Sequence, residues 1–250
     1  MLEAYRKELL AAAEADVIKW CGPHDLKIGR NQPDTHWLML FQGRYGGPVT
    51  AEQAHRFLVT FQLTMFRTWD VDAAAEAIRD TSEASEFTPL TAIPALSARL
   101  APLVERSTQE TSAASKIATF AQPTTRVYIW DKLATRSARY RDWVRSGGTG
   151  RKKLGSLFVH EGRHDYPAYY AACDRAMEDE RERPDFIAAR DRLIARFRAG
   201  DGIMSEAAIA TDDFIERRLL DKLMFAEGNL LRRKKGGNDG DDGAPILLAA

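Results

Sequence analysis

Apolar residues recur every three to four positions along most of the chain, which is the spacing of one face of an α-helix. Over residues 2–20 this pattern is continuous, and Gly22-Pro23 predicts the end of that helix. Thr50-Ala51-Glu52-Gln53 has the pattern of a capping box and predicts the start of a second helix, which continues to Met65. Further helices are predicted over residues 70–79, 95–108, 109–122, 131–143, 167–182, 184–199 and 205–225.

Signals for β-strands are few and short. Val127-Tyr128-Ile129-Trp130 is β-prone, but it is only four residues long. The apolar stretch 37–41 is compatible with either a buried helical turn or a brief strand. The sequence contains no internal repeat and no series of alternating strands. We therefore predict a mainly α fold in which residues 1–231 form a single multi-helix domain.

The C-terminal residues differ from the rest in composition. Arg232-Arg233-Lys234-Lys235 is followed by a stretch of glycine, asparagine and aspartate over residues 236–243. Such a segment has no apolar surface to bury, so it cannot offset the entropy lost on folding. We therefore predict that residues 232–250 form a disordered tail.

The composition fits a soluble protein with its own core. Of the 250 residues 44% are hydrophobic, yet no window approaches the run of about 18 apolar residues that a membrane span needs. The N-terminus lacks the apolar block of a signal peptide, so we expect a cytoplasmic location. Cys21 and Cys173 lie far apart in sequence, which predicts buried free thiols rather than a disulfide framework or a four-cysteine zinc site.

Charge is balanced over the whole chain but not along it. The net charge is zero, whereas residues 126–163 carry 10 basic and 3 acidic side chains. A basic patch of this kind attracts phosphates and favours nucleic acid as a partner. The alternative is a charged loop that simply faces solvent, because Arg151-Lys152-Lys153 follows the glycine-rich residues 146–150.

The most distinctive stretch covers residues 115–139. Lys116 lies on one predicted helix, and Asp131 opens the next one. A carboxylate at a helix N-cap accepts backbone N–H bonds, which keep it ionised and fix its direction. Lys116 can then face the same cleft as Asp131, beside a wall of aromatic side chains. These are Phe120, Tyr128 and Trp130.

This arrangement resembles the catalytic core of the helix-hairpin-helix DNA glycosylases. The shared features are a lysine near the start of a helix, an apolar connector, and an aspartate that opens the next helix. Residues 217–223 are similar to a late helix of small bacterial proteins with the same core. The resemblance implies the helical glycosylase fold, no cofactor, and a role in DNA repair or defence. It implies that Asp131 stabilises the cation that develops on the sugar, and that Lys116 forms a Schiff base with the sugar C1′.

The resemblance also implies a base pocket and a DNA-binding surface. The base pocket would be formed by Trp130, Tyr128 and Phe120. DNA would be contacted by Arg136, Arg139, Arg151, Lys152 and Lys153. In that family, glycines of the hairpin bind a DNA phosphate through their backbone N–H groups. Residues 109–114, which occupy the corresponding place, contain no glycine.

Two alternatives remain open at the level of sequence. In the first, the protein is a non-catalytic helical module that binds nucleic acid or protein, and Lys116 and Asp131 form a salt bridge between two helices. In the second, His160-Glu161-Gly162-Arg163-His164 matches the H-E-x-x-H motif of zinc hydrolases. His160 and His164 would then bind zinc from one face of a helix, with Glu161 as general base. Glu178 or Glu180 would be the third ligand.

Overall fold

Helices dominate the part of the chain that this computed structural model describes, namely residues 2–21, 32–64, 67–105, 107, 109–148, 158–199 and 212–233. The α-helices in these residues are α1 (Arg6–Trp20), α2 (Asp34–Phe41), α3 (Ala51–Thr60), α4 (Val71–Glu83), α5 (Pro89–Leu100), α6 (Thr111–Ala121), α7 (Lys132–Arg145), α8 (Tyr166–Arg181), α9 (Pro184–Arg198) and α10 (Asp212–Arg233). Short 3-10 turns over Glu3–Tyr5 and Ala101–Leu103 precede α1 and follow α5. Strands β1 (Val159–His160) and β2 (Arg163–His164) pair antiparallel. The mainly α fold predicted from the sequence is confirmed.

Side-chain caps fix several helix starts. The predicted capping box is present at α3, where the Gln53 N–H donates to the Thr50 hydroxyl and the Thr50 N–H donates to the Gln53 side chain. Asp70 caps α4 by accepting a hydrogen bond from the Ala73 N–H. These bonds satisfy N–H groups that have no partner inside the helix, so the polar residue defines where the helix begins.

The bounds of several predicted helices need correction, including that expected over residues 70–79, which is α4 and ends at Glu83. The helix expected over residues 95–108 is α5, which begins earlier, at Pro89, and ends at Leu100. Proline suits the first turn of a helix because its missing N–H would have had no partner there, and the helix accommodates Pro94 in its second turn. Helix α3 ends at Thr60, short of the predicted residue 65, and α10 continues to Arg233.

The two ambiguous apolar stretches adopt different structures. Residues 37–41 belong to α2, whose Trp37, Leu40 and Phe41 are buried. Residues 127–130 form a connector without regular secondary structure between α6 and α7, and it pairs with no strand of the described chain. The connector is nevertheless buried, so its polar backbone groups need partners from side chains.

Two central helices organise the packing. Helix α10 packs against α1, α7, α8 and α9, while α6 packs against α2, α4 and α5. One continuous cluster of buried apolar side chains joins both groups, so the described elements form a single compact unit. Helix α10 lies close to α7 at Gly228, where an added Cβ would be 2.0 Å from the Leu133 carbonyl oxygen.

The remaining sequence expectations concern the thiols, the tail and the membrane. Cys21 and Cys173 are both buried and free, as predicted. Arg232 and Arg233 complete α10, so the helical chain runs two residues past the predicted domain end at 231. The rest of the predicted tail, residues 234–250, lies outside the described residues. None of the described helices combines the length and apolar character that a bilayer span requires.

Candidate active site

Lys116 lies in the second turn of α6 with its side chain directed into the protein. It is only 9% exposed, and its Nζ donates a hydrogen bond of 2.7 Å to the Ser112 hydroxyl one turn earlier. Burial lowers the pKa of the Lys116 amine, although the carboxylates of Asp131 and Asp221 act in the opposite direction. An amine that releases its proton more readily than a surface lysine is better suited to act as a nucleophile.

Asp131 caps α7, as predicted. Its Oδ1 accepts a hydrogen bond of 2.7 Å from the Leu133 N–H, which fixes the direction of the carboxylate at the positive end of the helix. The side chain is partly exposed. The salt bridge considered as an alternative is not formed, since the described ion pairs within 4.0 Å include none between Lys116 and Asp131. The two groups therefore interact by charge across a gap.

The connector between these two residues is held by side-chain hydroxyls. The Trp130 N–H donates to the Ser115 hydroxyl at 2.8 Å, and the Tyr169 hydroxyl donates to the Ile129 carbonyl at 2.7 Å. The Tyr166 hydroxyl donates to the Tyr128 carbonyl at 2.9 Å. Because Ser115 precedes Lys116 and Trp130 precedes Asp131, this set of bonds fixes the lysine relative to the aspartate.

Helix α10 adds charged groups that the predicted site did not include. The Arg218 guanidinium bonds to Asp34 of α2 at 2.6 Å and to Asp221 at 2.7 Å. Burial raises the pKa of Asp221, while Arg218, Lys222 and Lys116 act against this rise. Lys116 and Asp221 each influence the protonation of the other. The candidate site thus comprises a lysine and two carboxylates, backed by an arginine.

The sequence indicated only some of these additional charged residues. Arg218 and Asp221 fall within residues 217–223, a segment that the sequence pattern singled out without assigning a site residue to it. Asp34 follows Pro33 and shows no motif, although it is fully buried and pairs with a residue 184 positions away. Long-range pairing of this kind leaves no local pattern, so sequence reasoning could not find it.

The three aromatic residues assigned to a base pocket do not share one wall. Phe120 is fully buried, and its ring packs against Phe57 and Phe61, with centroid distances of 5.9 and 5.2 Å. Tyr128 and Trp130 are also buried, but they belong to a separate cluster of tyrosine rings supplied by α8. Of the three residues, only Tyr128 and Trp130 belong to the connector that leads to Asp131.

The arginines assigned to DNA binding lie along α7 where the structure describes them. Arg136 is half-buried, and its Nη1 is enclosed without a hydrogen-bond partner in the described chain. The Arg139 guanidinium lies over the Phe158 ring, 5.4 Å from its centroid. Arg151, Lys152 and Lys153 lie outside the described residues.

The H-E-x-x-H sequence adopts a hairpin instead of a helix. His160 pairs with Arg163 across a tight turn, in which Glu161 and Gly162 have φ values of 51° and 77°. Consecutive positive φ values are the pattern of a type I′ hairpin turn. The zinc alternative therefore lacks the helix that would place His160 and His164 on one face.

The proposed third zinc ligands are also displaced. Glu180 is fully buried and bonds to Arg6 and Arg141, while Glu178 is exposed on α8. Within the described ranges, no group of three or more histidine, cysteine, aspartate or glutamate side chains is arranged to hold a metal ion. A zinc site built on this motif is thus not formed by these residues.

The hairpin instead covers the N-terminal end of α6. The His164 N–H donates to the Gln109 side-chain oxygen at 2.8 Å, and His164 Nδ1 forms a hydrogen bond of 3.1 Å with the Thr111 hydroxyl. On its other side the His164 ring stacks on Trp130 at a centroid distance of 4.7 Å. Burial lowers the pKa of His164, which favours the neutral ring.

In comparisons with known proteins, no family model, curated protein or solved structure matches this chain.

Proposed function

We propose that the protein is a DNA glycosylase-like enzyme that removes a damaged or modified base. The observation that supports this proposal is the buried Lys116 amine, whose pKa is lowered. A short connector joins the helix of Lys116 to the next helix, whose N-terminus carries the Asp131 carboxylate. Breaking an N-glycosidic bond develops positive charge on the sugar, and a fixed carboxylate stabilises that charge. Asp131 would supply this carboxylate.

The reaction divides between the two residues. The base leaves with the electron pair of the glycosidic bond and takes up a proton, while Asp131 stabilises the sugar cation. The neutral Lys116 amine gives its lone pair to C1′ and forms a C–N bond. Loss of a proton from nitrogen and protonation of the ring oxygen then open the sugar, which leaves an imine between Lys116 and C1′. Water hydrolyses this imine, or strand cleavage follows.

The test combines base release with trapping of the imine. Duplexes carrying damaged or modified bases are incubated with the parent protein, and sodium borohydride is added to reduce any imine to a stable adduct. We expect Asp131→Asn to abolish base release while α7 remains intact, because asparagine caps a helix as well as aspartate does. We expect Lys116→Gln to abolish the adduct.

Lys7→Gln is the matched control, because Lys7 is an exposed lysine on α1, a helix that carries none of the candidate site residues. This variant should form the adduct as the parent does. If every duplex stays intact with the parent and with Asp131→Asn alike, the proposal is wrong and the non-catalytic binding module becomes the better hypothesis. An adduct that persists in Lys116→Gln would assign the amine to another residue.

A further inference from the structure

Helix α10 brings a carboxylate toward Lys116 that the proposed reaction does not use. The side chain of Asp221 is only 17% exposed, and its Oδ2 accepts a hydrogen bond of 2.7 Å from the Arg218 guanidinium. The same guanidinium lies 2.6 Å from a carboxylate oxygen of Asp34, which is fully buried. Because Arg218 is bonded to both carboxylates, the direction of the Asp221 side chain is fixed.

A small cavity between α6, α8 and α10 shows which side of α6 this carboxylate approaches. Thr119 of α6 and Asp221 of α10 both line the cavity, together with Tyr169 and Cys173 of α8. Lys116 lies three residues before Thr119, and residues with this spacing are neighbours on the surface of a helix. Asp221 therefore approaches α6 on the side that carries Lys116.

The Lys116 amine has no carboxylate in direct contact among the described residues. Its hydrogen bond goes to the Ser112 hydroxyl, and the described ion pairs within 4.0 Å do not include it. Its charged form therefore depends on carboxylates that lie further away, whose attraction is stronger in the protein interior than in water. These carboxylates are Asp131, Asp221 and Glu110, of which the first two have the larger effects, and the Arg218 guanidinium opposes them.

The charges around Asp221 do not cancel without the lysine. Asp34 and Asp221 share the guanidinium of Arg218, so these three groups together carry a net negative charge. Lys222 also acts on Asp221, but it pairs with a carboxylate of α1 at 3.5 Å. The Lys116 ammonium acts on Asp221 as well, and it can balance the remaining negative charge.

The protonation of Lys116 and that of Asp221 are linked. Burial lowers the pKa of Lys116 and raises that of Asp221, and the charge of each group opposes the shift of the other. Tyr169 and Cys173, which line the same cavity, stay neutral near pH 7 because burial raises the pKa of both. A neutral residue at position 221 should therefore let the Lys116 amine lose its proton at a lower pH than in the parent.

We propose that Asp221 is a positioning residue that holds the proton on Lys116 and so sets the pH at which this amine becomes a nucleophile. For its part in catalysis, the inference rests on the proposed function. The two carboxylates then have separate roles, since Asp131 acts on the sugar and Asp221 acts on the amine. The step that Asp221 controls is the loss of one proton from the ammonium to solvent, which leaves the nitrogen lone pair free to attack.

The test measures the protonation of Lys116 without any substrate. The full chain is labelled with trace acetic anhydride over a range of pH values, and mass spectrometry quantifies the acetylation of each lysine. The reagent acylates only the neutral form of an amine, so the pH of half-maximal labelling reports where Lys116 loses its proton. Lys7, an exposed lysine of α1, is the internal standard in every sample. In the parent, Lys116 should reach half-maximal labelling at a lower pH than Lys7, because burial disfavours the ammonium.

We expect Asp221→Asn to move half-maximal labelling of Lys116 to lower pH. Its labelling at pH 7 should rise about threefold or more, because the neutral fraction of the amine increases. Asp221→Ser, a smaller neutral variant, should have the same effect, whereas Asp221→Glu keeps a carboxylate and should stay close to the parent. Asp72→Asn is the matched control and should change nothing, because Asp72 is an exposed aspartate of α4, which carries none of the candidate site residues.

A purely structural role of Asp221 would give a different result. Looser packing would raise the labelling of Lys116 at every pH, including the plateau at high pH, without moving the pH of half-maximal labelling. Circular dichroism shows which variants retain the helix content of the parent.

The inference is wrong if a folded neutral variant labels Lys116 with the parent profile, or if half-maximal labelling moves to higher pH. It is also wrong if Lys116 of the parent titrates as Lys7 does. A shift in the expected direction without base release from any duplex would support the inference and count against the proposed function. Base release by the parent, without a shift in the Asp221 variants, would support the proposed function and overturn the inference.

Discussion

At the scale of the single residue, a close approach between two helices depends on a residue without a side chain. Gly228 lets α10 approach α7 so that a Cβ at this position would lie 2.0 Å from the Leu133 carbonyl oxygen. The neighbouring atoms belong to backbone, which cannot rotate away as a flexible side chain can. The approach brings α10, with Arg218 and Asp221, up to the helix that Asp131 begins.

Gly228→Ala should therefore destabilise the protein, by about 2 kcal/mol, because the added methyl group forces α10 and α7 apart. The sign of the change in the free energy of unfolding is informative, because Gly→Ala in an unhindered helix stabilises the helix by up to about 1 kcal/mol. Urea unfolding monitored by circular dichroism measures the change. An increase in the free energy of unfolding would show that the two helices do not approach each other this closely.

At the scale of the element, the structure shows which signals in the sequence were sufficient. Local hydrogen bonding at Thr50 and Asp131 fixed two helix starts, and local patterns predicted both. The helix predicted for the H-E-x-x-H sequence was wrong, because spacing alone does not distinguish a helical turn from a hairpin. Gly162, with its positive φ, favours the hairpin. Asp34, whose partner lies on α10, could not be predicted because only tertiary packing brings them together.

The hairpin turn provides a prediction at the same scale. Glu161 adopts φ 51°, a left-handed conformation that costs a residue with a side chain roughly 1–2 kcal/mol. Asparagine tolerates it better, and Asn-Gly is the preferred pair in type I′ turns. Glu161→Asn should raise the melting temperature by about 2 °C, whereas the control Glu161→Ala should not raise it. A loss of stability in Glu161→Asn would argue against the left-handed turn.

At the scale of the whole molecule, a buried network of charges joins four helices. Arg141 of α7 bonds to Glu180 of α8 and Glu227 of α10, and Arg6 of α1 bonds to the same Glu180. Burial alone would raise the pKa of Glu180, but the hydrogen bonds and charges of Arg6 and Arg141 outweigh it and hold that pKa below its usual value. The carboxylate therefore binds its proton less tightly in the folded state than in the unfolded chain.

The pH dependence of stability follows from that difference. Above the unfolded pKa of about 4.5 the full contribution of Glu180 is present, and it is lost as pH falls through the lower folded pKa. Glu180→Gln should lower the free energy of unfolding at pH 7 by about 3 kcal/mol, because it leaves buried arginines incompletely paired. As the pH falls, the free energy of unfolding of Glu180→Gln should also decrease less than that of the parent.

The exposed neighbour Glu178 supplies the control for this experiment. Glu178→Gln should change the free energy of unfolding by less than about 0.5 kcal/mol at either pH. Urea titrations between pH 3 and pH 7 distinguish the two variants. Equal acid sensitivity of Glu180→Gln and the parent would show that this network does not contribute to the pH dependence.

The side-chain hydroxyls that hold the connector have a consequence for protein design. Tyr166 and Tyr169 of α8 bind the carbonyls of residues 128 and 129, and Ser115 binds the N–H of residue 130. The position of Lys116 relative to Asp131 therefore depends partly on residues of α8, which lie outside the segment that joins the two residues. A designer who grafted residues 115–139 onto another helical scaffold would transfer the reactive groups without their spacing, unless the two tyrosines were grafted with them.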